Sequence, residues 1–170
     1  YGEGIMHYDG QKFTQYTEDD GLANNTVLSL EGTEDGSIWV ASYGGISRFK
    51  NGKFSNYSIQ DGLPNNGALD ILQANDGHLW VATFGGLARF NNGKFEAITA
   101  QDGLPDEVCY FIEQDERGIF WIGTNKGIIR FNYEAYSAAN EPESSQIFKL
   151  ITQDQGIIAN EMNAGASFKD

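Results

Sequence analysis

Cysteine is nearly absent from this sequence. Cys109 stands alone among 170 residues, so no internal disulfide can form and no cysteine-based metal site can be built. A lone thiol leaves the redox compartment open, and its simplest role is that of a small buried apolar side chain. Basic residues are sparse as well. Eleven Lys and Arg stand against 24 Asp and Glu, a net charge of −13, and the cations form no stripe. An acidic surface of this kind repels phosphate backbones and anionic lipid, which argues against nucleic-acid and peripheral membrane binding. No apolar run approaches the roughly 20 residues needed to span a bilayer. The chain opens on Tyr1 without a signal peptide, so it is expected to be an excised or processed segment. Proline is scarce, with 3 residues, while glycine is plentiful, with 21. That balance suits many tight turns between short strands, and the chain is long enough to bury a core.

What is present is a repeat. Trp39, Trp80 and Trp121 are spaced 41 residues apart, as are Asp20-Gly21-Leu22, Asp61-Gly62-Leu63 and Asp102-Gly103-Leu104. Arg48-Phe49, Arg89-Phe90 and Arg130-Phe131 keep the same interval, and Asn51-Gly52-Lys53-Phe54 returns as Asn92-Gly93-Lys94-Phe95. Turn chemistry divides each unit into four strands. In the first full unit these are expected at Thr26–Gly32, Ser37–Ser42, Ile46–Lys50 and Lys53–Ile59. Asn51-Gly52 is a strong hairpin signal, because a type I′ turn needs positive φ at both central positions. β-Branched and aromatic residues fill the runs, and no 3.6-residue period is sustained.

Four antiparallel strands per unit of about 40–45 residues is the arithmetic of a β-propeller blade. The fold class is therefore all-β, a partial ring holding an outer half-blade, three full blades and one further inner strand. Blade pieces are expected at about 1–19, 20–60, 61–101, 102–155 and 156–170. The aromatic residues that recur in every unit should fill the space between blade faces. The third unit is longer, and its extra residues within Asn132–Gln146 read as a polar, lengthened hairpin tip, with the outer strand resuming at Ile147–Ile151. A part-ring exposes edges and faces that a closed ring would cover. Pairing with another copy, or completion by the remaining blades of a larger propeller, is expected.

Units of the form D-G-L-P followed by D-x-G-x-x-W-[VI]-[AG]-[ST]-x-x-G-[IL]-x-R-F resemble the two-component regulator propeller repeat. Residues 156–168 resemble that family's late-blade variant. The resemblance implies the extracytoplasmic, periplasmic sensor region of a bacterial hybrid histidine kinase or diguanylate cyclase. It also implies a ring of commonly seven blades and an oligosaccharide ligand. The repeat motifs themselves name no ligand.

Residues that recur in every blade serve the scaffold, and those that differ are candidates for function. Trp39, Trp80 and Trp121 are structural by that rule. Arg48, Arg89 and Arg130 are expected to pair with a recurrent carboxylate such as Asp61 or Asp102; an anion-binding ring of arginines is the sharper alternative. In an up-and-down blade the second-to-third turn and the blade-to-blade connection share a face. That face should gather Tyr43, Phe84 and Asn125 with Asn24, Asn25, Asn65, Asn66, Asp106, Glu107, Asn160 and Glu161. Amides and carboxylates offer hydroxyl partners, and exposed aromatics offer an apolar face to a sugar ring. Tyr43, Phe84, Asn125, Asn25, Asn66, Glu107 and Glu161 are accordingly the expected ligand-binding residues. The plainer reading is that the Asn residues only hold turns.

Catalytic signals are weak. His7 and His78 occupy different strand contexts, with no Ser–His–Asp order and no H-E-x-x-H. No catalytic residue, metal site or cofactor is called for. An enzyme resembling the streptogramin-inactivating lyases and a pure protein–protein platform are the alternatives to ligand sensing.

Overall fold

The computed structural model describes residues 2–138 and 144–158. A two-stranded sheet comes first, β1 (Ile5–Tyr8) with β2 (Phe13–Tyr16). Blade one follows as β3 (Val27–Gly32), β4 (Ile38–Ser42), β5 (Gly45–Lys50) and β6 (Lys53–Tyr57). Blade two is β7 (Ala68–Gln73), β8 (Leu79–Thr83), β9 (Gly86–Asn91) and β10 (Lys94–Ile98). Blade three is β11 (Cys109–Gln114), β12 (Phe120–Thr124), β13 (Ile128–Phe131) and β14 (Phe148–Ile151). Each sheet runs antiparallel in chain order, which is a blade, and the described sheets do not close into a ring. The four strands expected of the first full unit are found, with ends displaced by one or two residues, while the further inner strand expected within 156–170 falls on residues 159–170, outside the described residues. Asn51 and Asn92 take positive φ, 51° and 49°, as the expected hairpin turns require.

Blades stack through their aromatics. The Trp39 ring lies 4.9 Å from Phe90 of blade two, and the Trp80 ring lies 4.8 Å from Phe120 of blade three. Trp80 is fully buried, whereas Trp121 on the last described blade is half-buried and donates its Nε1–H to Asp115 Oδ2 at 3.0 Å. Burying a side chain of this size is worth roughly 1.5–3 kcal/mol or more, so each seam is held by a few such rings.

The innermost strands β3, β7 and β11 each carry a bulge at the same repeat position, between Val27/Ser29, Ala68/Asp70 and Cys109/Phe111. Polar stitches join them. Asp70 accepts from Ser29 Oγ at 2.8 Å and from the Ile112 amide at 3.1 Å, touching both neighbouring blades. Gln73 and Gln114 accept, through Oε1, the amides of Glu34 and Asn75 in the preceding blade.

The lengthened third unit departs from the polar hairpin tip expected of it. Helices α1 (Tyr133–Ser137) and α2 (Ser144–Ile147) intervene, and the outer strand begins at Phe148. Asn132 caps α1 by accepting the Ala135 amide. Tyr133 packs 4.8 Å from Trp80, and Tyr136 packs 5.8 Å from Phe131. The three-residue spacing of these tyrosines places both on one helix face, so the insertion folds back over the blade two–blade three seam. Residues 139–143, on which part of that expectation rested, lie outside the described residues.

Candidate ligand-binding face

A repeated hydroxyl builds the turn that presents each candidate side chain. Ser42, Thr83 and Thr124 are fully buried. Their hydroxyls donate to the carbonyls of Gly45, Gly86 and Gly127 at 2.8–2.9 Å. The same oxygens accept the amides of Gly44, Gly85 and Lys126. The turn closes around the hydroxyl, and the residue between must point outward. Those residues are Tyr43, Phe84 and Asn125. Tyr43 and Phe84 remain 51% and 39% exposed, with ring centroids 6.2 Å apart and planes inclined by 16°. Two adjacent blades thus carry one exposed aromatic platform. Phe84 lies against Gly67, where any Cβ would sit 2.4 Å from its ring.

The blade-to-blade connections meet this platform as expected. A Cβ on Gly44 would lie 2.5 Å from the Ala23 carbonyl, so turn and connector are in contact. Asn24 and Asn65 accept amides two residues on, from Thr26 and Gly67. Asn25 Oδ1 accepts the Glu18 amide at 2.8 Å, and Asn66 Oδ1 accepts the Ile59 amide at 2.9 Å. These oxygens are committed to the connectors, which leaves the side-chain NH2 groups of Asn25 and Asn66 as their means of meeting a ligand. Glu107 is exposed. Asn160 and Glu161 lie outside the described residues.

Blade three replaces the aromatic platform with polar groups. Tyr110 Oη donates to Asn125 Oδ1 at 2.9 Å. Lys126 donates to the Pro105 carbonyl at 3.2 Å and stands 4.0 Å from Asp106 Oδ1. Asp106 Oδ2 is buried with no hydrogen-bond partner among the described residues. Tyr110 and Lys126 were missed at the level of sequence, although a signal existed. Tyr110 stands at the repeat position of Leu28 and Leu69, and Lys126 at that of Gly44 and Gly85.

The recurrent arginines do not pair with the Asp-Gly-Leu carboxylates. Asp61 and Asp102 close capping boxes, accepting from the amides and hydroxyls of Ser58 and Thr99. They sit on the connectors, whereas Arg48 reaches the first-to-second turn at the other end of the blade. There Arg48 Nη2 and Lys50 Nζ both lie 2.6 Å from Asp35 Oδ2. The Lys50 ammonium, with the hydroxyls of Thr33 and Ser37, holds the Asp35 carboxyl well below the usual carboxylate range. Arg89 instead approaches Glu96 at 3.6 Å. His78 also lies at this end, with Nδ1 3.1 Å from Asp76 Oδ2, an ion pair when the imidazole is protonated. His7 is exposed on β1. Among the described residues no three His, Cys, Asp or Glu side chains cluster as metal ligands would. Cys109 is fully buried, and desolvation drives its thiol far above the ordinary range.

The family model of the two-component regulator propeller matches residues 21–44 and 62–85. Those stretches are similar to two-component regulator propeller repeats. Each runs from the Asp-Gly-Leu glycine to the turn carrying Tyr43-Gly44 or Phe84-Gly85, so the match covers both halves of the aromatic platform. Solved structures share the propeller fold. The extracellular domain of a hybrid two component system from B. thetaiotaomicron aligns with a TM-score of 0.78 at 20% identity, over 98% of this chain and 25% of that one. Another such domain from the same organism gives 0.65 at 22% identity, over 88% and 22%. A virginiamycin B lyase from Staphylococcus aureus gives 0.62 at 22% identity, over 78% and 46%. The chain thus spans about a quarter of the length of the extracellular domains it matches. No curated protein matches it. Among the described residues no helix is long and apolar enough to cross a membrane.

Proposed function

We propose that these regulator propeller repeats form a non-catalytic ligand-sensing segment of an extracytoplasmic, periplasmic two-component receptor. The ligand is a carbohydrate or similar polyhydroxylated molecule held on the loop face. The observation that carries this reading is the near-parallel, exposed pair Tyr43 and Phe84, with the polar group of Tyr110, Asn125 and Lys126 at the equivalent turn of the next blade. The apolar face of a sugar ring stacks on aromatic planes, and its hydroxyls need donors and acceptors at the edge of such a platform. The match to the regulator propeller model and the fold shared with extracellular domains of bacterial two component systems support the setting.

Calorimetric titration with a panel of neutral and acidic oligosaccharides tests the site. Tyr43→Ala and Phe84→Ala should each weaken binding by about tenfold, the loss of one stacking contact. Unchanged affinity in both variants would remove the assignment. The lyase fold supports an enzymatic second reading, for which His78 is the natural base. It stands at the end of blade two away from Phe84, beside Asp76. Turnover of a streptogramin that is lost in His78→Ala would favour that reading.

A further inference from the structure

Asparagine precedes glycine at three places in the sequence, Asn51-Gly52, Asn66-Gly67 and Asn92-Gly93. This dipeptide has a chemistry of its own. The glycine backbone nitrogen, once deprotonated, attacks the Asn side-chain Cγ, because the following residue has no Cβ to stand in the way. A bond forms between that nitrogen and Cγ, the side-chain nitrogen leaves as ammonia, and a succinimide ring results. Water then opens the ring at either carbonyl, giving aspartate or isoaspartate. The chemical step is much the same for all three dipeptides, so the fold decides which of them reacts.

Asn51-Gly52 and Asn92-Gly93 form the tips of the β5–β6 and β9–β10 hairpins. All four residues are exposed, and the space around either glycine is open. Among the described residues neither glycine amide donates a hydrogen bond and neither Asn side chain makes one. Below each tip stands a single flanking pair, Lys50 with Lys53 and Asn91 with Lys94, so the turn opens by fraying one rung. Asn66-Gly67 lies in the connector between blades one and two, and both of its reacting groups are held. The Gly67 amide donates to Asn65 Oδ1 at 2.8 Å, and Asn66 Oδ1 accepts the Ile59 amide at 2.9 Å. Gly67 is buried against the Phe84 ring, and its carbonyl accepts the Phe84 amide at 3.1 Å.

We propose that the hairpin tips Asn51 and Asn92 are sites of spontaneous deamidation in the folded protein, and that the connector shields Asn66 from the same reaction. Isoaspartate carries the main chain through the former side-chain carbon, one methylene longer, and a two-residue turn with positive φ at both positions does not accommodate it. Each event also adds one negative charge. At position 51 that charge falls between Lys50 and Lys53, and Lys50 already binds Asp35. Blade three has no such tip, because the position of Asn92 is taken there by Tyr133 of the α1 insertion. The modification therefore falls on the outer hairpins of blades one and two and spares the loop face, where Gly67 packs on Phe84. It stands whether or not that face binds a sugar.

Incubation of the folded protein at mildly alkaline pH, followed by peptide mapping with mass spectrometry, tests the proposal. The peptides holding Asn51 and Asn92 should gain one mass unit and split into aspartate and isoaspartate forms, faster as pH rises and the glycine amide ionises. Asn66 should convert about tenfold more slowly or less, since two hydrogen bonds must break first. In the chain unfolded by urea the three sites should convert at similar rates, which assigns the order to the fold and not to the local sequence. Gly52→Ala should suppress conversion at Asn51 and leave Asn92 unchanged. Asn65→Ala removes the acceptor of the Gly67 amide and should speed conversion at Asn66. Equal rates at the three sites in the folded protein would overturn the proposal, as would intact Asn51 and Asn92 after the unfolded chain has converted.

Discussion

Trp80 and Trp121 occupy the same place in successive repeats, yet their removal should cost very different amounts. Trp80 has no exposed surface and packs against Phe120 and Tyr133, each at 4.8 Å, and Phe131 at 5.9 Å. Its Nε1–H has no hydrogen-bond partner among the described residues, so the loss in Trp80→Ala is one of packing. A buried tryptophan truncated to alanine costs about 3–5 kcal/mol. A domain of this class has about 5–15 kcal/mol in total, so the variant should lose a third or more of its stability. Trp121 is half-buried, and its one polar contact is with the half-buried Asp115. Trp121→Ala should cost about 1–2 kcal/mol. Urea unfolding followed by far-ultraviolet circular dichroism measures both, because the substituted residue is itself the fluorophore. Should Trp80→Ala prove too unstable to purify, Trp80→Phe supplies the comparison at about 1–2 kcal/mol, since it keeps a ring and removes an unpaired N–H. Equal losses at positions 80 and 121 to alanine would refute the account of blade stacking.

Two further outcomes follow from individual groups. Gly86 has φ 128°, and a Cβ there would stand 2.4 Å from the Ile98 carbonyl, so Gly86→Ala should cost roughly 2–4 kcal/mol; Gly52→Ala, with open space around it, should cost only about 1 kcal/mol, and thermal melts separate the two. Burial raises the carboxyl of Asp70 above its ordinary value, against the opposing pull of the Ile112 amide and the Ser29 hydroxyl. The folded state then holds the Asp70 proton more tightly than the unfolded chain does. Its contribution to stability is greatest below the unfolded value of about 3.9 and falls as pH rises through the higher folded value. Asp70→Asn should therefore be more harmful relative to the parent at acid pH than at neutral pH. A melting series in which the gap widens toward neutrality would contradict this.

The blade was legible because its signals are local. The 41-residue spacing of Trp39, Trp80 and Trp121 and the positive φ demanded by Asn51-Gly52 are properties of a few neighbouring residues. They are repeated until chance is excluded. The shared face of turns and connectors followed from strand order alone, and so Tyr43 and Phe84 could be placed together before any coordinates. The partner of Arg48 was not legible. Asp35, Asp61 and several other carboxylates lie within reach of the same unit, and only the direction of the strand decides which end a long side chain meets. The helix over the third seam was hidden by the polar composition of the insertion, whose two tyrosines gain meaning only against Trp80 and Phe131.

Sequence alone thus determined the repeat, the strand order and the side of the blade on which each turn lies, because short-range backbone preferences dictate these. Tertiary structure decided which charges pair and which tryptophan is sealed from water. Those outcomes depend on contacts between chain segments tens of residues apart.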